Sequence, residues 1–334
     1  MQLPSALRRL CVCIVWAAAM SCRNDSTAPL PAPTPNFIQL VSDPGDWVGS
    51  GKQYEYSQAN SVITLSASRG LLQVEIAGDE GWSGQFMSPS TNANLERGMY
   101  ANLRRYPFND PATGGLSWYG NNGCNTLSGW FRVDKVIYDS TALMAIDLRF
   151  EQHCEGATPA LHGTIHWRAD DSTEPPGPVT PVPSGLWQPA ADATPPNVNY
   201  VYLDSDPGDW VGAGEIYAYT PATATLRATS SSGLLSIDVS GPATWHGDFK
   251  AMSTLTDKLL TGYYGDLGTY PFHNPAKGGL DWFGQGRGCN GVHRWFAIDQ
   301  VKYAGDSLEA VDLRFEQRCE GSTAALHGVI HWVR

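Results

Sequence analysis

The sequence predicts an all-β protein: two tandem antiparallel β-sandwich modules, each with one disulfide, joined by a proline-rich linker. Three observations lead there. The stretch DLRFEQHCEGATPALHGTIHW at 147–167 returns as DLRFEQRCEGSTAALHGVIHW at 312–332, so the chain is one module written twice. The shared segments alternate apolar and polar residues at period two, the pattern of half-buried strands. Gly is 35 and Pro 23 of 334 residues, with only 16% charged, a balance that favours turn-rich β structure over helical bundles.

In chain order, Arg8 and Arg9 precede an apolar run from Leu10 to Met20. As a helix that run would span roughly 16 Å, against ~30 Å for a bilayer core, which marks residues 1–21 as a signal peptide. Ala19-Met20-Ser21-Cys22 resembles the lipobox of bacterial lipoproteins, with small residues ahead of a cysteine that becomes the lipidated N-terminus. Ala19 stands where that family most often has Leu, and residue 23 is Arg rather than the Asp of an inner-membrane retention signal. The resemblance implies lipidation at Cys22 and a place on the periplasmic or cell-surface side of a bacterial membrane.

Residues 22–35, CRNDSTAPLPAPTP, are polar and proline-rich and read as a tether. In polyproline II form it would hold the next residues some 40 Å from the membrane. Module 1 occupies 36–168, the proline-rich linker 169–198 and module 2 199–334. Leu186 and Trp187 are the bulky apolar pair in the linker and could staple it to a module face.

Within the modules, Leu72, Val74 and Ile76 alternate with Gln73 and Glu75, and Ile146, Leu148 and Phe150 with Asp147, Arg149 and Glu151. Leu161, Gly163, Ile165 and Trp167 alternate with His162, Thr164 and His166. Gly, Pro, Asn and Asp clusters separate these runs at turn-like intervals, which gives seven to nine strands per module. Cys124 and Cys154 recur as Cys289 and Cys319 with the same separation, one disulfide per module. Closing such a loop contributes roughly 3–4 kcal/mol. The module pattern (DPGDW, YPF, GGL-W, a Cys, FEQ-CEG, LHG-I-W) resembles repeats of exported bacterial multidomain proteins, a resemblance that carries no catalytic residues.

Charge and motifs narrow the chemistry. A net charge of −11 disfavours nucleic acid and direct attachment to anionic lipid. His162-x-x-x-His166 and His327-x-x-x-His331 look like metal pairs, but on a strand residues four apart lie about 13 Å from each other and cannot share one zinc. The turns Asp43-Pro-Gly-Asp46 and Asp206-Pro-Gly-Asp209 could lend oxygens to calcium, or could bond backbone amides while Trp47 packs inward. Glu151 with Glu155, and Glu316 with Glu320, read as charge ladders rather than a glycosidase pair. No nucleophile elbow, phosphate loop or metalloprotease helix motif occurs, so the expectation is a non-enzyme without a cofactor, calcium aside.

Aromatic residues are the strongest lead. Trp118-Tyr119 and Trp282-Phe283 lie between glycines, as rings that could meet a sugar or a protein or could plug the sandwich ends. Trp82, Trp130 and Trp167 sit in alternating strands and are expected in the core. Equivalent sites should diverge where the copies differ: His153 against Arg318, Arg105 against Thr269, Asn109-Asp110 against His273-Asn274, and the loop that carries Arg287. The expectation for function is a membrane-anchored, extracytoplasmic binding or structural subunit making protein–protein contacts; the alternative is a carbohydrate-binding surface lipoprotein, with calcium as a possible aid.

Overall fold

The computed structural model describes residues 34–255, 257–290 and 293–334; the expected signal peptide and Cys22 lie outside them. The described chain is all-β, with no helix. Module 1 holds β1 (Phe37–Ser42), β2 (Gln53–Ser57), β3 (Val62–Ser68), β4 (Leu71–Ala77) and β5 (Trp82–Met87). It continues with β6 (Gly98–Arg105), β7 (Gly115–Tyr119), β8 (Leu127–Asp139), β9 (Ala142–Cys154) and β10 (Ala160–Arg168). Module 2 repeats them as β11 (Tyr200–Ser205), β12 (Ile216–Tyr219), β13 (Thr225–Ser231), β14 (Leu234–Ser240) and β15 (Thr244–Lys250). After these come β16 (Gly262–Tyr264), β17 (Gly268–Thr269), β18 (Gly279–Gly284), β19 (Arg294–Ala304), β20 (Ser307–Arg318) and β21 (Ala325–Val333).

The strands of module 1 form one sheet in the order β2-β1-β10-β9-β8-β6-β7-β5-β4-β3. All neighbours are antiparallel except β6 and β7, which run parallel where Arg104 and Arg105 face Gly115 and Leu116. The sheet turns back on itself at β6, so that Phe86 of β5 meets Phe131 of β8 and Phe150 of β9 at ring separations of 5.4 and 5.3 Å. In module 2 the counterpart of β6 is broken into β16 and β17, and the sandwich has separate six- and five-stranded sheets. The break falls at Asp266, with φ of 54°, where module 1 kinks at Asn102 with φ of 56°. Such short polar residues tolerate the left-handed region better than others do. The kink lets Leu103 and Leu267 both point inward.

Alternation gives each module its core. Leu72, Val74 and Ile76, then Ile146, Leu148 and Phe150, are all buried, while Gln73 and Glu75 face solvent. Trp118 lies between the halves, stacked on Phe150 at 4.9 Å. Glycines make room for it: a Cβ on Gly84 would sit 2.4 Å from the Trp118 ring, and one on Gly163 only 2.0 Å from Phe150. The twin set is Trp282, Phe315, Gly247 and Gly328.

Gln152 and Gln317 continue the inward series of β9 and β20 and are fully buried. The Gln152 side chain acts as a strand segment: its Oε1 accepts from Trp118 N–H at 3.0 Å and its Nε2 donates to Trp118 C=O at 2.7 Å. Gln317 does the same for Trp282, at 3.1 and 2.7 Å. Each amide thus satisfies both backbone groups of a central tryptophan. The disulfides join Cys124 to Cys154 and Cys289 to Cys319, each across 30 residues.

The modules also touch. Asn274, in the loop after the module 2 YPF sequence, donates from Nδ2 to Asn60 C=O at 2.8 Å and to Asp79 Oδ1 at 3.0 Å in turns of module 1. Lys277 Nζ reaches Asp79 Oδ2 at 2.9 Å and also contacts Asp266. These bonds, with burial working against them, leave the Asp79 carboxyl below its usual range.

Candidate aromatic binding surfaces

The acidic turns are built around one buried carboxylate each. Asp46 Oδ2 accepts from Ser42 Oγ at 2.8 Å and from Gly49 N–H at 2.7 Å. Asp209 repeats this with Ser205 and Gly212 at 2.8 and 2.6 Å. Asp43 Oδ2 and Asp206 Oδ2 accept from the amides of Ala160 and Ala325. The geometry supports the hydrogen-bonded turn, because these oxygens already face protein donors. Pinning the Asp in turns the next residue out: Trp47 and Trp210 are each 62% exposed, so the expected inward packing of Trp47 is corrected.

A second correction concerns Trp118 and Trp282. They lie on strands rather than glycine-rich loops, and at 1% and 0% exposure they reach no ligand. Their strand neighbours point the other way for the same reason of pleat, which leaves Tyr119 and Phe283 each 40% exposed. Trp130 and Trp295 are not core either; they stand half-buried on the outer sheet faces. Among the described residues the most open phenylalanine, tyrosine and tryptophan rings are Phe108 and Phe272 of the YPF turns, at 77% and 91%.

In module 1 these rings belong to one connected surface. Arg105 lies over the Phe108 ring at 5.4 Å and donates from Nη1 to Asn125 C=O at 3.1 Å. Arg105, Tyr119 and Asn125 line a shallow depression of about 260 Å³. Asn122 Nδ2 then donates to Trp47 C=O at 3.1 Å, which ties the acidic turn to the same loop.

Module 2 has a wider depression of about 480 Å³ lined by Phe283, Arg287 and Asp281. Beneath it, Arg294 stands where module 1 has Gly129 and holds the carbonyls of Leu280 and Cys289. Burial raises the Asp281 carboxyl there and lowers the Arg294 guanidinium. His273, by contrast, is tucked against Gly279 and stacked on Tyr270 at 5.5 Å, and burial lowers its pKa.

A chain of polar side chains crosses the outer face of β9 and β10. His162 lies 3.4 Å from Asp43 and 3.3 Å from Glu151, and Glu151 lies 3.1 Å from His153. His153 completes the chain at Thr158 C=O, 2.9 Å away. Module 2 keeps it with His327, Glu316 and Arg318, where Arg318 Nε donates to Glu316 at 2.8 Å. Glu155 is not part of it, since its carboxylate caps the amides of Asn125 and Thr126 at 2.6 and 3.0 Å. Those backbone donors hold the Glu155 carboxyl below its usual range. Among the described residues no three His, Cys, Asp or Glu side chains converge as a metal site.

One histidine is set to respond to pH. His246 lies between Asp238 at 2.7 Å and Asp248 at 3.1 Å. Burial pulls its pKa down, but the two carboxylates outweigh burial and raise it above 6.5. A raised folded-state pKa stabilises the fold fully below about pH 6.5, and this is lost as pH rises through the folded value. Module 2 should therefore lose a modest part of its stability as pH rises from about pH 5 through the folded pKa, relative to His246→Gln, because the site is partly solvated. Urea midpoints of the two proteins that shift in parallel over that range would exclude the effect.

Comparison with known proteins gives no match: no family model, no curated protein and no solved structure matches the chain.

Proposed function

We propose that the chain is a non-catalytic binding protein, anchored through Cys22 outside the cytoplasm, that grips a protein partner with the aromatic surface of each module. The observation that carries this reading is a set of open rings present twice: Trp47, Phe108 and Tyr119, and Trp210, Phe272 and Phe283. Exposed Trp, Tyr and Phe are favoured where protein surfaces meet, and a duplicated surface allows two-point attachment of higher avidity. Phe at three of the six positions favours a protein over a sugar, since Phe brings no hydroxyl or N–H to a glycan. A glycan is the second reading, for module 1 alone, because Tyr119 there stands beside Arg105 and Asn125.

The test is gentle detergent extraction of the native membrane, followed by sizing and identification of what travels with the chain. The native protein should elute in an assembly well above its own 36.2 kDa. Replacing Trp47 and Phe108 with Ser should weaken that assembly by about thirtyfold or more, the effect of losing an interface anchor. Elution alone, as a 36.2 kDa chain in its micelle, would discard the assembly reading and move the question to glycans.

A further inference from the structure

The linker shows what one sheet face of this fold can hold. Val179 pairs with Tyr263 at the edge of module 2 through two backbone hydrogen bonds of 2.9 Å. Further on, the Trp187 ring lies flat on His327, with 4.7 Å between centroids and 12° between planes. Arg314 Nη1 donates to the Trp187 carbonyl at 3.1 Å, while Asp299 holds the rest of that guanidinium at 2.7 and 2.8 Å. On this covered face the Arg314 and His327 side chains are only 11% and 9% exposed.

Module 1 carries the same frame with no strap on it among the described residues. Asp134 holds Arg149 at 2.8 and 3.2 Å through the same two nitrogens. Its Nη1, the counterpart of the one that takes the Trp187 carbonyl, has no acceptor among the described residues. His162 sits between Asp43 and Glu151 as His327 sits between Asp206 and Glu316. Here, however, Arg149 is 52% and His162 41% exposed.

We propose that this face of module 1 is a docking site for an extended, tryptophan-bearing segment of a partner protein. The indole lies on His162, and the backbone carbonyl of the same residue accepts from Arg149 Nη1. The inference does not need the aromatic end surfaces and adds a third point of contact. It also separates the two faces by chemistry. Arg132 and Thr164 stand where module 2 has Ala297 and Val329, and Arg132 shares Asp134 with Arg149 at 2.8 Å, so the occupant of module 1 meets a more polar face than the linker does. A second copy's linker fits less well, because it is already held by its own module.

The probe is a synthetic peptide of residues 181–190, PVPSGLWQPA, titrated into the full chain by calorimetry. One site per chain is expected, and a Trp187→Ala substitution in the chain should expose the module 2 face and raise the count to two. Arg149→Ala in the chain, or Trp→Ala in the peptide, should weaken the first site by about tenfold or more, the effect of losing a charged hydrogen bond or a stacked ring. Trp47→Ala should leave it unchanged, so loss of the aromatic-surface reading and loss of this one are distinguishable. No binding by the native chain up to about millimolar peptide, the effective concentration a tether provides, overturns the proposal. Binding that survives Arg149→Ala, or that occurs only after Trp187→Ala, overturns it too. So does a dimer that Trp187→Ala dissolves, which would put a second copy's linker on the face instead.

Discussion

Gln317→Leu is expected to unfold module 2 at a markedly lower urea concentration while leaving module 1 standing. Leucine fits the volume but offers nothing to the backbone, so the N–H and C=O of Trp282 would both be buried without a partner. Each orphaned group costs about 1–3 kcal/mol, and the pair about 3–5 kcal/mol, a large share of the stability of a domain this size. Gln152→Leu should do the same to module 1 through Trp118. Tryptophan fluorescence against urea would then show two transitions where the native chain has them closer together. A midpoint unchanged within about 0.5 kcal/mol would mean that water or a shifted strand replaces the amide.

Trp118→Ala and Trp282→Ala are expected to cost about 3–5 kcal/mol each, through the cavity between the sheets and the lost stacking on Phe150 and Phe315. Trp→Phe at the same positions should cost much less, about 1.5 kcal/mol, because the indole N–H has no acceptor among the described residues. Trp47→Ala, at a ring 62% exposed, should change stability by no more than about 0.5 kcal/mol. Thermal unfolding of these variants separates a core ring from a contact ring. Equal losses at Trp47 and Trp118 would contradict their placement.

The contrast between those tryptophans marks what could be read from the residues. Alternation and duplication gave the all-β class, and the paired cysteines their bridges, because both depend on local spacing. The same alternation, carried one step past Phe150, puts Gln152 inward, so its burial was legible in the motif FEQ. Its partner was not, because Trp118 lies 34 residues away and nothing local records that contact. Trp47 failed for another reason: the side-chain bonds of Asp46 decide which way the turn throws its neighbour. Phe108 was not singled out, because its place in the YPF motif carries no local sign of its exposure. The split of β6 in module 2 depends on a kink at Asp266 that sequence spacing does not show.

The contact between the modules has a consequence for how the chain behaves in numbers. Asn274 and Lys277 of one copy meet Asp79 of the other, so unlike patches of like units are joined head to tail. Such a junction repeats without limit when every unit offers both halves, and the result is a fibre. Here neither outer end carries the matching residues. Module 1 has Asp110 and Thr113 in place of Asn274 and Lys277, and module 2 has Pro242 in place of Asp79. The polar set that joins the two modules is thus present once in the chain, and substitution has removed its repeat from both outer ends.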